Sequence, residues 1–185
     1  MAIKIGLIAE DISDVEVIKI LMSKVSRRKF ATCHFVGRGC GPIIRKTPGW
    51  CRVLSQKGCA RVIVVHDKDR NDSVKLRATL EQLVAQVPNI KGVVVIPVEE
   101  LEAWLLSDSS AIAAALGLEK EPKNIARPES VASPKEFIGK EVSRISKNGT
   151  RYVNTVHNKL IASLLDLAKV TAKCPSFHPL AEFLA

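Results

Sequence analysis

Residues 61–69 read Arg61-Val62-Ile63-Val64-Val65-His66-Asp67-Lys68-Asp69. Four β-branched residues in succession suit a strand buried on both faces; a half-exposed strand would alternate apolar with polar. An acidic pair set directly after such a strand has few structural uses, because the loops at strand ends are where rigid scaffolds carry their chemistry. The stretch therefore predicts a buried strand over 61–65 that delivers Asp67 and Asp69 at its carboxyl end.

The pattern repeats on either side. Upstream, Ile3 to Ile8 reads as a buried strand, Asp11 to Ser13 offer helix N-caps, and Val15, Ile18, Leu21, Met22 and Val25 recur at helical spacing. Phe30 to Val36 predicts another strand. The glycines of Gly37-Arg38-Gly39-Cys40-Gly41 make a flexible connection that can approach a phosphate, and Pro48 to Lys57 reads as a short helix stopped at Gly58. Downstream, Ser73 to Val87 is helical with Leu76, Leu80, Leu83 and Val84 on one face, and Val93 to Ile96 is a strand ended by Pro97. Strands alternating with helices predict an α/β fold, a four-stranded and mainly parallel Rossmann-like sheet flanked by helices. After Glu100 the strands stop and helices follow one another: Leu101 to Leu106, Ala111 to Leu116, Pro134 to Ile145 and Val153 to Thr171, with Leu118 to Ser133 as a proline-bearing loop. The expected organisation is an α/β domain over residues 1–107 and a helical extension over 108–185.

Composition limits the class. Hydrophobic residues at 46% and charged residues at 25% describe an ordinary globular chain. The longest apolar runs are strand-sized, so no membrane span is expected, and the N-terminus does not read as a signal peptide. Five cysteines without a C-x-x-C pair suit reduced thiols, and these features together predict a cytoplasmic location. The net charge of +9 is unevenly placed: from Val17 to His66 there are eleven Lys or Arg and no Asp or Glu. A one-signed block of this kind is the footprint of a face that binds polyanions. Arg38, Arg45 and Lys46 are its candidate nucleic-acid contacts.

In open parallel sheets ligands bind beyond the carboxyl ends of the strands. Three of the four predicted strands end in carboxylates there: Glu10, Asp11 and Asp14; Asp67, Asp69 and Asp72; Glu99, Glu100 and Glu102. Like charges gathered on one edge make chemical sense around a hard divalent cation, and oxygen-only ligands favour magnesium or manganese over zinc. Asp11, Asp14 and Asp72 also suit helix capping. No Gly-Lys-Ser/Thr signature is present, which excludes a P-loop ATPase, and the Gly37-x-Gly39-x-Gly41 run lacks the partners of a dinucleotide site.

Glu10-Asp11-Ile12-Ser13-Asp14 after the first strand, with Asp67-Lys68-Asp69 after the third, resembles the Toprim domain of topoisomerases, bacterial primases and overcoming-lysogenization-defect (OLD) nucleases. The glycine that usually follows the glutamate is Asp11 here. Pro97-Val98-Glu99-Glu100-Leu101-Glu102-Ala103-Trp104-Leu105-Leu106 looks like the helix of small stand-alone bacterial Toprim-like proteins, and Pro134-Lys135-Glu136 and Cys174-Pro175-Ser176-Phe177 look like their helical tail. The resemblance implies metal-dependent phosphodiester hydrolysis, with Glu10, Asp14, Asp67, Asp69 and Glu102 as metal ligands, Glu10 as general acid or base, and Lys135 neutralising the transition state. It also implies a part in phage defence, with an ATPase of the AAA or OLD kind and a second copy of the chain as expected protein partners, and with DNA ahead of RNA as substrate. Tyr152 is the one tyrosine, and the chain is too short for topoisomerase strand passage. The alternative reading is a non-catalytic nucleic-acid-binding or ATPase-partner module with the same fold.

Overall fold

The computed structural model describes residues 3–69 and 71–185. Four strands, β1 (Lys4–Ala9), β2 (Ala31–Val36), β3 (Arg61–Val65) and β4 (Lys91–Val95), form one sheet in the order β2-β1-β3-β4, with every neighbouring pair parallel. The chain runs outward from β1 to β2, then crosses back past β1 to β3 and on to β4. Strand order therefore reverses between β1 and β3, and the crevice at their carboxyl ends is the topological switch point.

Alternation along the strands sorts side chains to two faces. Ile5, Leu7 and Ala9 of β1 with Ile63 and Val65 of β3 pack under α1 (Ile12–Ser26), whereas Ile8, Val62 and Val64 pack under α2 (Cys40–Gln56) and α3 (Ser73–Ala85). Each of these valine, leucine and isoleucine side chains contributes roughly 1.5–3 kcal/mol by leaving water. The rest of the chain supplies α4 (Glu102–Leu105), α5 (Ser109–Leu116), α6 (Pro134–Ile145), α7 (Asn154–Leu164), α8 (Leu167–Lys173) and α9 (His178–Leu184). These helices continue the core of the α1 face, so one apolar cluster runs from Ile5 to Leu184 across the boundary expected near residue 107. Trp104, fully buried, anchors them: its indole Nε1–H donates to Ser176 Oγ at 2.8 Å and its ring meets Phe177 edge-on.

Two helices differ from the sequence reading. The short helix expected from Pro48 begins at Cys40, which absorbs part of the glycine-rich connection. Gly39, at φ 112°, occupies the N-cap, and Pro42 falls in the first turn, where a missing N–H costs nothing. Pro48 lies inside this helix. The single helix expected over 153–171 is two, because Leu165 is extended and the Asp166 side chain accepts from Ala168 N–H at 2.9 Å to start α8. Apolar spacing carries across the break, so periodicity alone does not reveal it. Among the described residues no helix is long and apolar enough to cross a membrane.

Candidate functional site

Glu10 follows β1 immediately and Asp67 follows β3 by two residues, so both stand at the switch point. The backbone ladder extends past the strands and stiffens these loops: Gly37 N–H donates to Ala9 O (2.8 Å), Arg38 N–H to Glu10 O (2.9 Å), and Lys68 N–H to Pro97 O (2.9 Å). Gly37 is required where it stands, since a Cβ there would lie 2.4 Å from Ile43 Cγ1. Arg38, Asp69 and Glu99, at the ends of three different strands, all take left-handed backbone (φ 55°, 45° and 60°), a cost that non-glycine residues bear chiefly where surrounding structure imposes it.

A cavity of about 240 Å³ opens here, lined among others by Glu10, Asp14, Asp67, Glu100 and Glu102, with Arg38 and Lys135 at its walls. The five carboxylates share one arrangement. Glu10 Oε1 accepts from Asp67 N–H at 3.1 Å, and His66 Nδ1 lies 3.1 Å from the same oxygen. Asp14 Oδ2 accepts from Asp11 N–H at 3.0 Å, Asp67 Oδ1 from Leu101 N–H at 3.1 Å, Glu100 Oε2 from Lys135 N–H at 2.8 Å, and Glu102 Oε1 from the Asn158 amide at 3.0 Å. In each case the second oxygen accepts no hydrogen bond from the described residues. Each of these five carboxylates is thus held through one oxygen.

His66 is fully buried, and its Nδ1 lies 2.7 Å from Asp67 O as well as near Glu10, so the proton sits on Nδ1, facing two oxygens. Its Nε2 has no hydrogen-bond partner among the described residues.

Crowding of like charge dominates the electrostatics. Burial, followed by the nearby Asp14, Glu10, Glu102 and Asp69, holds the Asp67 carboxyl well above the usual carboxylate range. Burial likewise pushes Asp14 up to about 7, against the pull of the Asp11 N–H and with the push of Glu102. Glu10 and Glu100 are raised by burial too, each partly offset by a neighbour, His66 for Glu10 and Lys135 N–H for Glu100. Such a group of acids is stabilised by a positive charge brought among them.

Most of the residues expected at the site meet there. Glu10, Asp14, Asp67 and Glu102 line one cavity, and the backbone of Lys135 at the start of α6 reaches it from the helical extension. Asp14 also closes the capping box of α1 with Asp11, whose side chain accepts from Ser13 N–H at 2.8 Å, so Asp11 has a capping role of its own. Asp69 is exposed and lines a neighbouring cleft of about 460 Å³ with Asn71, Glu99 and Glu100, so it stands at the rim. Arg38 lies in the wall, whereas Arg45 and Lys46 are exposed on α2 outside the cavity lining, Lys46 over the Trp50 ring. His66, beside the acidic pair, has the core and hydrogen-bonding role its place in the sequence suggests, whereas Asn158 and Tyr152, which hold Glu102 from the helical extension, are what sequence reading missed. A fully buried asparagine on an otherwise apolar helix face was the available sign.

Among the described residues no three His, Cys, Asp or Glu side chains close as a ready-made ligand shell. The five acids line a cavity with room for water, and magnesium typically keeps several waters while binding one or two carboxylates. Hard oxygen donors, mutual repulsion and one open oxygen on each acid fit a hydrated divalent cation of this kind.

No curated protein and no solved structure matches the chain. A family model described as a domain of unknown function, DUF4276, matches residues 9–185. The match takes in Glu10, the Asp67 loop, Glu102 and every helix of the extension that holds them, and the chain belongs to the DUF4276 family.

Proposed function

We propose that the chain is a magnesium- or manganese-dependent nuclease of Toprim type, acting on nucleic acid in the cytoplasm with DNA ahead of RNA as substrate. The observation that carries this reading is the set of carboxylates at the switch point, each fixed by one oxygen and open at the other. Glu10, Asp67 and Glu102 would hold the cation, with Asp14 beside them and Asp69 at the rim. A divalent cation bound there supplies Lewis-acid polarisation of a phosphodiester and neutralises charge on the leaving oxygen.

The chain's own residues do the remainder. Arg38, in the cavity wall, offers a guanidinium to a phosphate, and Lys135 places a second cation at the start of α6. Glu10, whose carboxyl is raised by burial, is suited to exchange a proton with an attacking water or a leaving oxygen. The exposed basic residues of α2, Arg45 and Lys46 among them, extend the phosphate-binding surface away from the cavity. An ATPase of the AAA or OLD kind and a second copy of the chain belong to the same proposal as partners in phage defence.

The test is cleavage of supercoiled DNA, linear DNA and RNA by the purified protein with magnesium, manganese or EDTA, beside a Glu10→Gln, Asp67→Ala double variant. Metal-dependent cutting that disappears in the double variant supports the nuclease. Salt-sensitive binding that persists in EDTA and in the variant, with no cutting by either protein, replaces it with the non-catalytic binding module.

A further inference from the structure

Asn158 lies on the face of α7 that packs inward with Ile161, Ala162 and Leu165, and it is only 1% exposed. An aliphatic residue would suit that position by the packing rules that place its neighbours there, since a buried amide costs free energy unless its groups are bonded. Its bonds lead to one place. Nδ2–H donates to Glu102 Oε1 at 3.0 Å, and Oδ1 accepts from the Tyr152 hydroxyl, which itself lies 3.5 Å from Glu102 Oε1. The hydroxyl carries one proton and gives it to the nearer Asn158 oxygen, which turns the amide nitrogen toward the carboxylate. Glu102 is 5% exposed, so this arrangement, rather than water, decides which of its oxygens is available.

We propose that Asn158, held by Tyr152, is a positioning residue that confines Glu102 to a single donor oxygen and so biases the cavity toward a small octahedral cation over calcium. Calcium accepts six to eight oxygens in flexible geometry and takes carboxylates through both oxygens, whereas magnesium demands near-octahedral placement and keeps its waters. A carboxylate with one oxygen occupied by an amide suits the second and resists the first. The other acids of the cavity are held in the same one-oxygen manner by backbone N–H groups, which side-chain substitution cannot remove. Asn158 is the place where the restriction can be lifted. The inference rests on reading the acidic cavity as a cation site.

The experiment is calorimetric titration of the purified full chain with magnesium, manganese and calcium, comparing wild type with Asn158→Leu and Tyr152→Phe, with circular dichroism to verify folding. Asn158→Leu keeps the branched shape and the number of side-chain heavy atoms at a position with apolar neighbours, so a purely structural role predicts unchanged cation preference. The expected result is magnesium affinity lowered about 10–100-fold, the range for loss of a group that orients a ligand, with calcium affinity changed much less. The calcium-to-magnesium affinity ratio then rises about tenfold or more, and Tyr152→Phe moves it the same way by a few-fold, supplying the test if Asn158→Leu does not fold. An unchanged ratio in folded variants of a wild type that binds magnesium overturns the positioning role and leaves the cation site standing. A wild type that binds none of the three cations overturns both.

Discussion

Asp67 and Asp108 are both inward-facing aspartates, and the protein treats them in opposite ways. Asp108, 3% exposed at the N-cap of α5, has both oxygens occupied: Oδ1 accepts from Lys169 Nζ (2.7 Å) and Ser110 Oγ (2.6 Å), and Oδ2 from Asp166 N–H (3.0 Å). Although burial pushes the other way, these donors bring its carboxyl down to about 2. Asp67 has one bonded oxygen and no ion pair among the described residues, and with burial and four acids acting on it, it is raised. A buried carboxylate with every acceptor filled is structure. One that is oriented but left half open, against its own solvation, is a place kept for something else.

The comparison can be broken most sharply at Asp67 itself. Asp67→Ala is expected to lower metal-dependent cleavage about a thousandfold or more, roughly 4 kcal/mol of transition-state stabilisation, as measured by single-turnover assays on the preferred nucleic acid. Asp67→Asn should leave the metal-free protein as stable as wild type or more so, since it relieves repulsion. Loss of stability in that variant would mean that Asp67 is structural after all.

A pH series in EDTA sharpens the contrast next. Asp14, raised to about 7 in the folded chain from an unfolded value of 3.8, keeps a proton that the unfolded chain has released. Stability is therefore expected to fall as pH rises between about 4 and 7, by as much as about 4 kcal/mol from this group on simple linkage. Asp108 works in the opposite sense: its contribution is present above pH 4 and is lost as pH falls toward 2. Thermal melts should show the high-pH decline, and magnesium should flatten it. A metal-free protein whose stability climbs steadily from pH 4 to 8 would contradict the crowding described for the cavity.

Asp108→Ala comes third, removing the cap of α5 and the acceptor for Asp166 N–H. About 2–3 kcal/mol of stability should be lost in urea melts, with cation affinity unchanged. The smallest effect is expected on the basic face: Arg45→Glu with Lys46→Glu should weaken nucleic-acid binding about tenfold and reduce the salt dependence, without changing the cation titration. A coupled loss of cation binding would join the two surfaces that the structure keeps apart.

Much of this was written in the residue order, and the reason differs by region. The β-branched run before Asp67 and the acids after β1, β3 and β4 are local signals, and parallel topology brings them together without further information. The eleven basic residues over 17–66 are legible by counting alone. The start of α2 was hidden by its glycines and proline, which read as loop but serve as cap and first turn. The break between α7 and α8 was hidden by continuous apolar spacing. Asn158 and Tyr152 were illegible as partners of Glu102, because hydrogen bonds between residues 50 and 56 positions apart leave no local pattern.

The apolar cluster that joins β1 and α1 to α7 and α9 bears on when the acidic cavity is assembled. Its contacts join distant parts of the chain, and such non-local contacts form slowly. On a ribosome, Glu10 and Asp67 emerge long before the segment that orients Glu102. A nascent chain therefore carries the first acids of the cavity before the residues that arrange them, and the cavity is complete only once the segment bearing Asn158 has docked.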